Sequence, residues 1–472
     1  MKSNEKTAER VENSRPDLLT DATKPVMYKE RTVGQYNLTM IWFGFAVQLI
    51  IFMQAGQAYP SNSVLDILIA LVLGNTVPAI VIFFTQEIGI RYGLSYGVAV
   101  RAMFGIKGGL IPGWIRAIPA IFWFGFQTWV CAGAVDSVCL MIWNYTNITL
   151  WIIVFGILQI VTTFYGIRFI RVLNLFSSPA LLVMGFILMY LLLSGSDMSL
   201  GEVLTLKGDG TGSLAGTTMA FIAGWSTLAC SIQDIVKDCK VPDGEKTRWR
   251  KLNLKYSLAQ WIGMIPASVL FGFIGVLSMA LTGEWNPTLA IAAVVGDVSI
   301  PLAILCELFI VFATWTTNPG ANLLNPAYVI CATLPKKISF KKAVFIAGAL
   351  GLIMMPWKAS GDIQGIMNVI GGALGPVAGI MIADYIFIRK HRIAVADLYK
   401  SKGGGYYYWG GFNIAALVAY VVSVGVSMLF PNWIYTVGLF VALVIYTPLM
   451  KYWVMKKYPD SQLDYSYNET LL

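Results

Sequence analysis

The sequence predicts an all-α integral membrane protein with twelve transmembrane helices, on three observations. The first is composition: 57% of the 472 residues are hydrophobic and 12% are charged, roughly half the ~25% charge of a soluble domain. The second is that the apolar residues gather into twelve runs, most of them near the ~20-residue length that a helix needs to cross a bilayer. The third is charge placement: 32 of the 34 Lys and Arg fall on one set of alternating loops and tails, leaving only Lys207 and Lys358 on the other.

Residues 1–35 are polar, carry seven Lys and Arg and show no apolar signal segment, so they read as a cytoplasmic tail. The first run, 37–57, contains "IWFGFAVQ", in which Gly44 permits a local break and Gln48 places an amide inside the span. The second, 64–87, is followed by Arg91, Arg101 and Lys107, with Arg116 just beyond. The third, 113–142, holds "IFWFGFQTW"; Trp123 and Gln127 share one helix face, and Gly125 thins the helix between them. The fourth and fifth, 149–166 and 173–194, flank Arg168 and Arg171. In the sixth, 215–236, Gly224 interrupts the apolar helix just before Trp225, Ser226 and Thr227, and seven Lys and Arg follow between 237 and 255. The seventh is 256–282, and the eighth, 299–332, contains "ATWTTNPGANLLNP" and leads to four lysines. The ninth and tenth, 341–357 and 363–388, flank Lys358; "NVIGGALG" gives the tenth glycine hinges. The last two, 409–430 and 433–451, precede a tail at 452–472. These runs are too long and too evenly apolar for the ten-residue alternation of barrel strands.

The positive-inside rule places both termini in the cytoplasm of a cell whose inner (plasma) membrane holds the protein. The net charge of +9 therefore marks orientation, and nucleic acid is not implied. A single histidine, His391, argues against a His-based metal site and a Ser–His–Asp triad. No nucleophile–base pair suggests an enzyme, and the tails are too short for a receptor's output domain. Five of the six cysteines lie in apolar runs and read as packing residues, with Cys239 a free loop thiol. The expected partners are the bilayer and a small molecule, with no obligate protein partner evident.

Polar side chains within spans are costly and face a partner helix or a cavity. Trp123 and Gln127 suit a planar heterocycle with N–H and C=O groups, or serve as interhelical glue. Gly224 with Trp225 suits backbone contact to a ligand, or a small-residue helix contact. Ala313, Thr316 and Thr317 follow i, i+3, i+4, with Asn318 and Asn322 on an adjacent strip and Pro319 and Pro326 freeing carbonyls. They form an oxygen cage suited to Na+, or a kinked helix whose threonines bond their own carbonyls. Asp136 and Glu307 lie in outer helix halves, with Glu307 the candidate proton carrier. The first and sixth runs share a mid-span glycine beside polar residues, and the third and eighth share Trp with amides. That placement suggests that 36–194 is repeated in inverted form as 215–388, with two further helices at 409–451.

These segments, together with "GALGPVAGIMIADY", "TTFYGIRFIRVLN" and "GEWNP", resemble the nucleobase–cation symporter family over about residues 31–458, in particular its bacterial sodium–hydantoin members. The resemblance implies a LeuT-like five-plus-five inverted repeat with two C-terminal helices and Na+-coupled uptake of a hydantoin. Rival cargoes are uracil, cytosine, allantoin or a purine, and H+ is the rival coupling ion. It implies that the ring stacks on Trp123, that Trp225 meets its substituent, and that Gln127 and Asn322 bond its edges. Gly224, Gln48 and Asn318 stand nearby, and Met367 packs over the ligand where the family has Leu. It implies a Na+ site from the carbonyls of Gly44, Val47 and Ala313 and the hydroxyls of Thr316 and Thr317. The family has Ala and Ile where this chain has Gly44 and Val47, which carbonyl ligands tolerate, and Ser at Thr316, where the hydroxyl is kept.

Overall fold

A computed structural model describes residues 17–47, 49–165, 167–459, 463 and 465. Among them the protein is helical, with two isolated β-bridges. The principal helices are α1 (Gln35–Ala46), α2 (Leu49–Ala58), α3 (Val64–Tyr92), α4 (Leu110–Trp143), α5 (Ile148–Thr163), α6 (Ile167–Ser194), α7 (Leu214–Ser231) and α8 (Trp249–Thr282). They continue with α9 (Pro287–Val298), α10 (Ile300–Asn322), α11 (Leu324–Thr333), α12 (Phe340–Ile353), α13 (Ile363–Ile382), α14 (Ile414–Met428) and α15 (Ile434–Leu449).

Each of the twelve apolar runs is helical, and α9 is an additional helix in a stretch the sequence leaves as a loop. By length and apolar composition, six helices among the described residues are able to cross a membrane, or seven if the bent pair α1–α2 counts as one span. Among the other runs, Ile148–Thr163 and Ile414–Met428 are apolar helices shorter than that length. Exposed apolar side chains such as Val72, Leu73 and Ile80 on α3, or Phe440 and Val444 on α15, are the expected surface of a chain solvated by lipid.

Three expectations about helix breaks change. The first span does not break at Gly44, which lies within α1. It breaks at Val47, whose ψ of 53° ends the helix, and α2 leaves at 44°. The bend is held by α8, which packs on both halves. A Cβ at Gly263 would lie 2.4 Å from the Thr39 carbonyl of α1, and one at Gly275 would lie 2.1 Å from the Phe52 carbonyl of α2. Helix α7 runs unbroken through Gly224 and is interrupted only at Ile232. One glycine costs a helix about 1 kcal/mol, which packing on α3 and α13 outweighs. Helix α10 continues through Pro319 and breaks at Leu323.

The segment before α1 straps across the loops that follow α3 and α7. Val26 N–H bonds Gly93 O at 2.9 Å, and Val33 N–H bonds Asp238 O at 2.9 Å. Gly93 closes α3 at φ 67°, a left-handed turn suited to glycine, and a side chain there would strike the Val26 carbonyl. Val33 forms a β-bridge with Cys239. Cys239 is therefore a fully buried thiol and not an open loop cysteine, because the strap covers it.

Candidate functional site

Six helices enclose one buried cavity with a free volume of about 30 Å3, space for two or three waters at roughly 10–15 Å3 each. Helix α4 contributes Trp123 and Gln127, α7 contributes Gly224, Trp225 and Thr227, and α10 contributes Ala321 and Asn322. Met367 comes from α13, Asn75 from α3, and Ile50, Ile51 and Gln54 from α2. Six of the eight substrate-site residues expected from the sequence thus meet in one place. Gln48 lies outside the described residues. Asn318 does not line the cavity.

The i, i+4 spacing of Trp123 and Gln127 puts both on the inner face of α4, as expected. Trp123 is held edge-on by Phe122 and Phe126, at centroid distances of 5.2 and 5.4 Å. Gln127 is buried and makes no hydrogen bond to a described residue. Gly125 does not serve the cavity. It faces α12, where a Cβ would lie 2.1 Å from the Gly351 carbonyl, so it permits a close helix contact.

Gly224 is the opposite case. A Cβ there would meet Gln54 Oε1 at 3.6 Å and the Met367 thioether at 3.7–3.8 Å, ordinary contact distances, so packing does not demand a glycine. Its missing side chain leaves room in the cavity wall. Trp225 stands beside it, with its indole N–H donating to Asn75 Oδ1 at 2.6 Å and Trp42 against its ring at 5.9 Å.

Asn318 works one layer back. Its Oδ1 accepts from Asn322 Nδ2 at 2.8 Å, and its own amide donates to Gln159 Oε1 at 2.8 Å and to the Phe124 carbonyl at 3.1 Å. Gln159 donates in turn to Thr128 Oγ1 at 2.8 Å. This rail ties α10 to α4 and α5 and fixes the Asn322 amide, leaving it one N–H and its carbonyl for a ligand. Sequence reading missed Gln159, Gln54 and Asn75. Each lies in an apolar run whose neighbouring residues carry no motif that singles it out.

Arg116 was also misplaced by counting it with the loop cations. It is buried two turns before Trp123, where Nε donates to the Thr227 carbonyl at 2.6 Å and Ser231 Oγ at 2.8 Å, and Nη2 to the Ala321 carbonyl at 3.2 Å. It clamps α4 to α7 and α10, and two of its acceptors, Thr227 and Ala321, line the cavity.

The expected cation ligands lie on two touching helices, α1 and α10. Val47 is the residue at the break after α1, and Gly44 is buried one turn earlier. On α10 the hydroxyls of Thr316 and Thr317 reach the Ala313 carbonyl at 2.8 and 2.9 Å. This is the bonding of threonines to their own helix carbonyls that the sequence left as the alternative reading; it also gathers three neutral oxygens at one turn, a donor set of the kind a hard cation takes. The prolines are not what supplies Ala313: by the i−4 rule they release the carbonyls of Trp315 and Asn322. Asp136 is a loop anchor, accepting from Thr146 Oγ1 and Asn147 N–H at 2.6 Å each.

Residues 25–454 match the model of a family described as permeases for cytosine/purines, uracil, thiamine and allantoin. The chain belongs to that family. The permease is 47% identical to the hydantoin permease of Microbacterium maritypicum over 464 residues, covering 98% of this chain and 94% of the relative. It superposes on Mhp1, a nucleobase-cation-symport-1 family transporter solved closed with bromovinylhydantoin bound, with a TM-score of 0.90 over 96% of this chain and 98% of that one, at 47% identity. Against the inward-facing conformation of Mhp1 the TM-score is 0.86, at the same identity, over 94% and 95% of the two chains. The permease is therefore a multi-pass membrane transporter of small molecules and not an enzyme. Its tight cavity accords with the better superposition on the closed form.

Proposed function

We propose that this permease is a symporter that carries a 5-substituted, aryl-type hydantoin into the cell together with Na+. The observation that supports this best is the meeting of Trp123, Gln127, Gly224, Trp225, Asn322 and Met367 around one cavity, in a chain 47% identical to a hydantoin permease. A hydantoin ring is flat, with two N–H and two C=O groups at its edge. The Trp123 face takes the ring, and Gln127 and Asn322 each offer an amide N–H and C=O to its edges. The indole of Trp225, fixed by Asn75, is the surface this reading assigns to a 5-aryl group, with Gly224 and Met367 beside it.

Na+, carried as co-substrate, would be held by the Ala313 carbonyl and the hydroxyls of Thr316 and Thr317, with carbonyls of α1 at Gly44 and Val47. Ala321 follows Thr317 by four positions and Asn322 by five, so cation and ring share one helix. Each ligand then raises the affinity of the other by the same factor. In this reading residues 36–194 and 215–388 form the inverted five-plus-five repeat of twelve spans in the inner membrane, with both termini cytoplasmic. The repeats rock around the site, releasing the Arg116 clamp to open the cavity inward. H+ coupling is the second reading, favoured by Glu307, a fully buried carboxyl on α10 with no cation beside it among the described residues. Uracil, cytosine or allantoin is the alternative cargo, since each is also a flat ring with amide edges.

The test is tryptophan fluorescence of the purified full chain titrated with benzylhydantoin, in Na+ and then in K+ at equal ionic strength. Tighter quenching in Na+, lost in Thr317→Val and kept in Thr317→Ser, is the expected result. Quenching indifferent to Na+ overturns the coupling ion. Absence of quenching, with a response to uracil, cytosine or allantoin, overturns the cargo.

A further inference from the structure

We infer that the outward-facing groove between α3 and α8 seats one anionic glycerophospholipid, with an acyl chain in the groove and the phosphate on Arg250 and Lys251. Neither the cargo nor the coupling ion enters this inference.

The groove has a free volume of about 270 Å3 and is walled by Ile80 and Phe83 of α3 and by Leu254, Ser257, Leu258 and Trp261 of α8. It shares no lining residue with the substrate cavity. Ile80, Leu254, Leu258 and Trp261 are all exposed, so the concavity opens to the hydrocarbon around the protein. Its floor is a polar seam. Asn253 Nδ2 donates to the Phe83 carbonyl at 2.9 Å, and Gln86 Nε2 donates to Asn253 Oδ1 at 2.8 Å and to Ser257 Oγ at 2.6 Å. All three polar side chains are buried. The seam holds the two walls at a fixed spacing, and a preformed groove binds a chain at a lower ordering cost.

Charge at one end decides which lipid fits. Arg250, Leu254, Ser257, Leu258 and Trp261 follow i, i+4, i+7, i+8, i+11, one face of α8, and Lys251 precedes Leu254 and Leu258 by three and seven positions. One helix face therefore runs from cations to hydrocarbon over about 16 Å, at 1.5 Å per residue. Arg248 and Lys255 add two charges, and all four side chains are exposed. None of the four bonds or pairs with a described residue through its side chain. No Asp or Glu occurs from Lys246 to Gly283. On α3, Glu87 is already occupied by the Tyr385 hydroxyl at 3.1 Å and His391 Nδ1 at 3.0 Å. Arg91 of α3 stacks on Trp249 of α8 at 5.3 Å, a fifth cation where the two helices meet. An uncompensated basic cluster continuous with an acyl groove matches an anionic headgroup. A zwitterionic lipid would bring an ammonium into the same positive field.

The test titrates the delipidated full chain in detergent with phosphatidylglycerol and phosphatidylcholine of identical chains, counting bound lipid by native mass spectrometry. One phosphatidylglycerol should be held about tenfold more tightly than phosphatidylcholine. Arg250→Gln with Lys251→Gln should abolish that preference. Lys341→Gln with Lys342→Gln, an exposed pair at the start of α12, should keep it. Leu258→Trp, which fills the groove, should weaken retention of phosphatidylglycerol with every cation in place, and Leu254→Trp repeats that test if the first variant does not fold. Equal retention of the two lipids overturns the inference, as does a preference that survives Arg250→Gln with Lys251→Gln. Loss of the preference in the Lys341 and Lys342 variant would assign it to general surface charge, and unchanged retention in the groove-filling variant would remove the chain from the groove. Either result overturns the inference. Inorganic phosphate that displaces the lipid at equal concentration would make this a free-anion site and overturns it too.

Discussion

Asn75 on α3 accepts the indole N–H of Trp225 on α7 at 2.6 Å, with both residues buried. The bond fixes the ring plane of the one tryptophan that borders Gly224. Asn75→Leu should leave the indole N–H buried and unpaired, at a cost of about 1–3 kcal/mol. Thermal unfolding in detergent should show the loss, and ligand affinity should fall further than stability because the ring is freed to turn. Unchanged affinity would mean that the Trp225 orientation is set by Trp42 instead.

Gly224 and Gly125 should respond oppositely to the same methyl group. Gly224→Ala meets only ordinary contacts, so the variant should fold with stability within about 1 kcal/mol of wild type, helped by helix propensity. It should bind ligand poorly, because the methyl fills part of a 30 Å3 cavity. Gly125→Ala drives a Cβ against the Gly351 carbonyl and should give a low melting temperature or little folded protein. Size-exclusion profiles and ligand titration of the two variants separate the cases, and full ligand affinity in Gly224→Ala would refute the role given to that gap.

Asn318 should act on ligand only through its neighbours. Asn318→Ala removes the acceptor that fixes Asn322, and Gln159→Leu removes the acceptor that fixes Asn318. Both should weaken binding, and the double variant should lose less than the sum, with a coupling energy of about 0.5–3 kcal/mol. Additive losses would show that the rail does not transmit.

Cys239 should be slow to alkylate. Burial pushes its thiol well above the ordinary value, and a raised value means less thiolate at a given pH, hence less of the reactive form. Near neutral pH, maleimide labelling of a chain whose other cysteines are replaced should be slow. Val33→Pro removes the N–H that bonds Asp238 and should speed labelling by loosening the strap. Rapid labelling of the unaltered strap would mean that the β-bridge does not cover the thiol.

The sequence by itself determined the solvent, the helices and most of the site. Long apolar runs with charge on alternate loops admit few readings other than membrane helices, since the hydrocarbon core leaves a backbone no partner but itself. Trp123 with Gln127, and Ala313 with Thr316 and Thr317, were legible because i, i+3 and i+4 spacing fixes a shared helix face whatever surrounds it. Tertiary structure decided what each face meets. It moved the first break from Gly44 to Val47 through the contacts of α8, turned Gly125 toward α12, set Asn318 behind Asn322, and buried Arg116 and Cys239. It also brought Gln54 and Asn75 into the cavity from helices whose sequence gave no sign of it. Helical periodicity is a property of one helix, whereas a cavity wall is a property of six, and the azimuth at which each helix is docked is set by close contacts far apart in the chain.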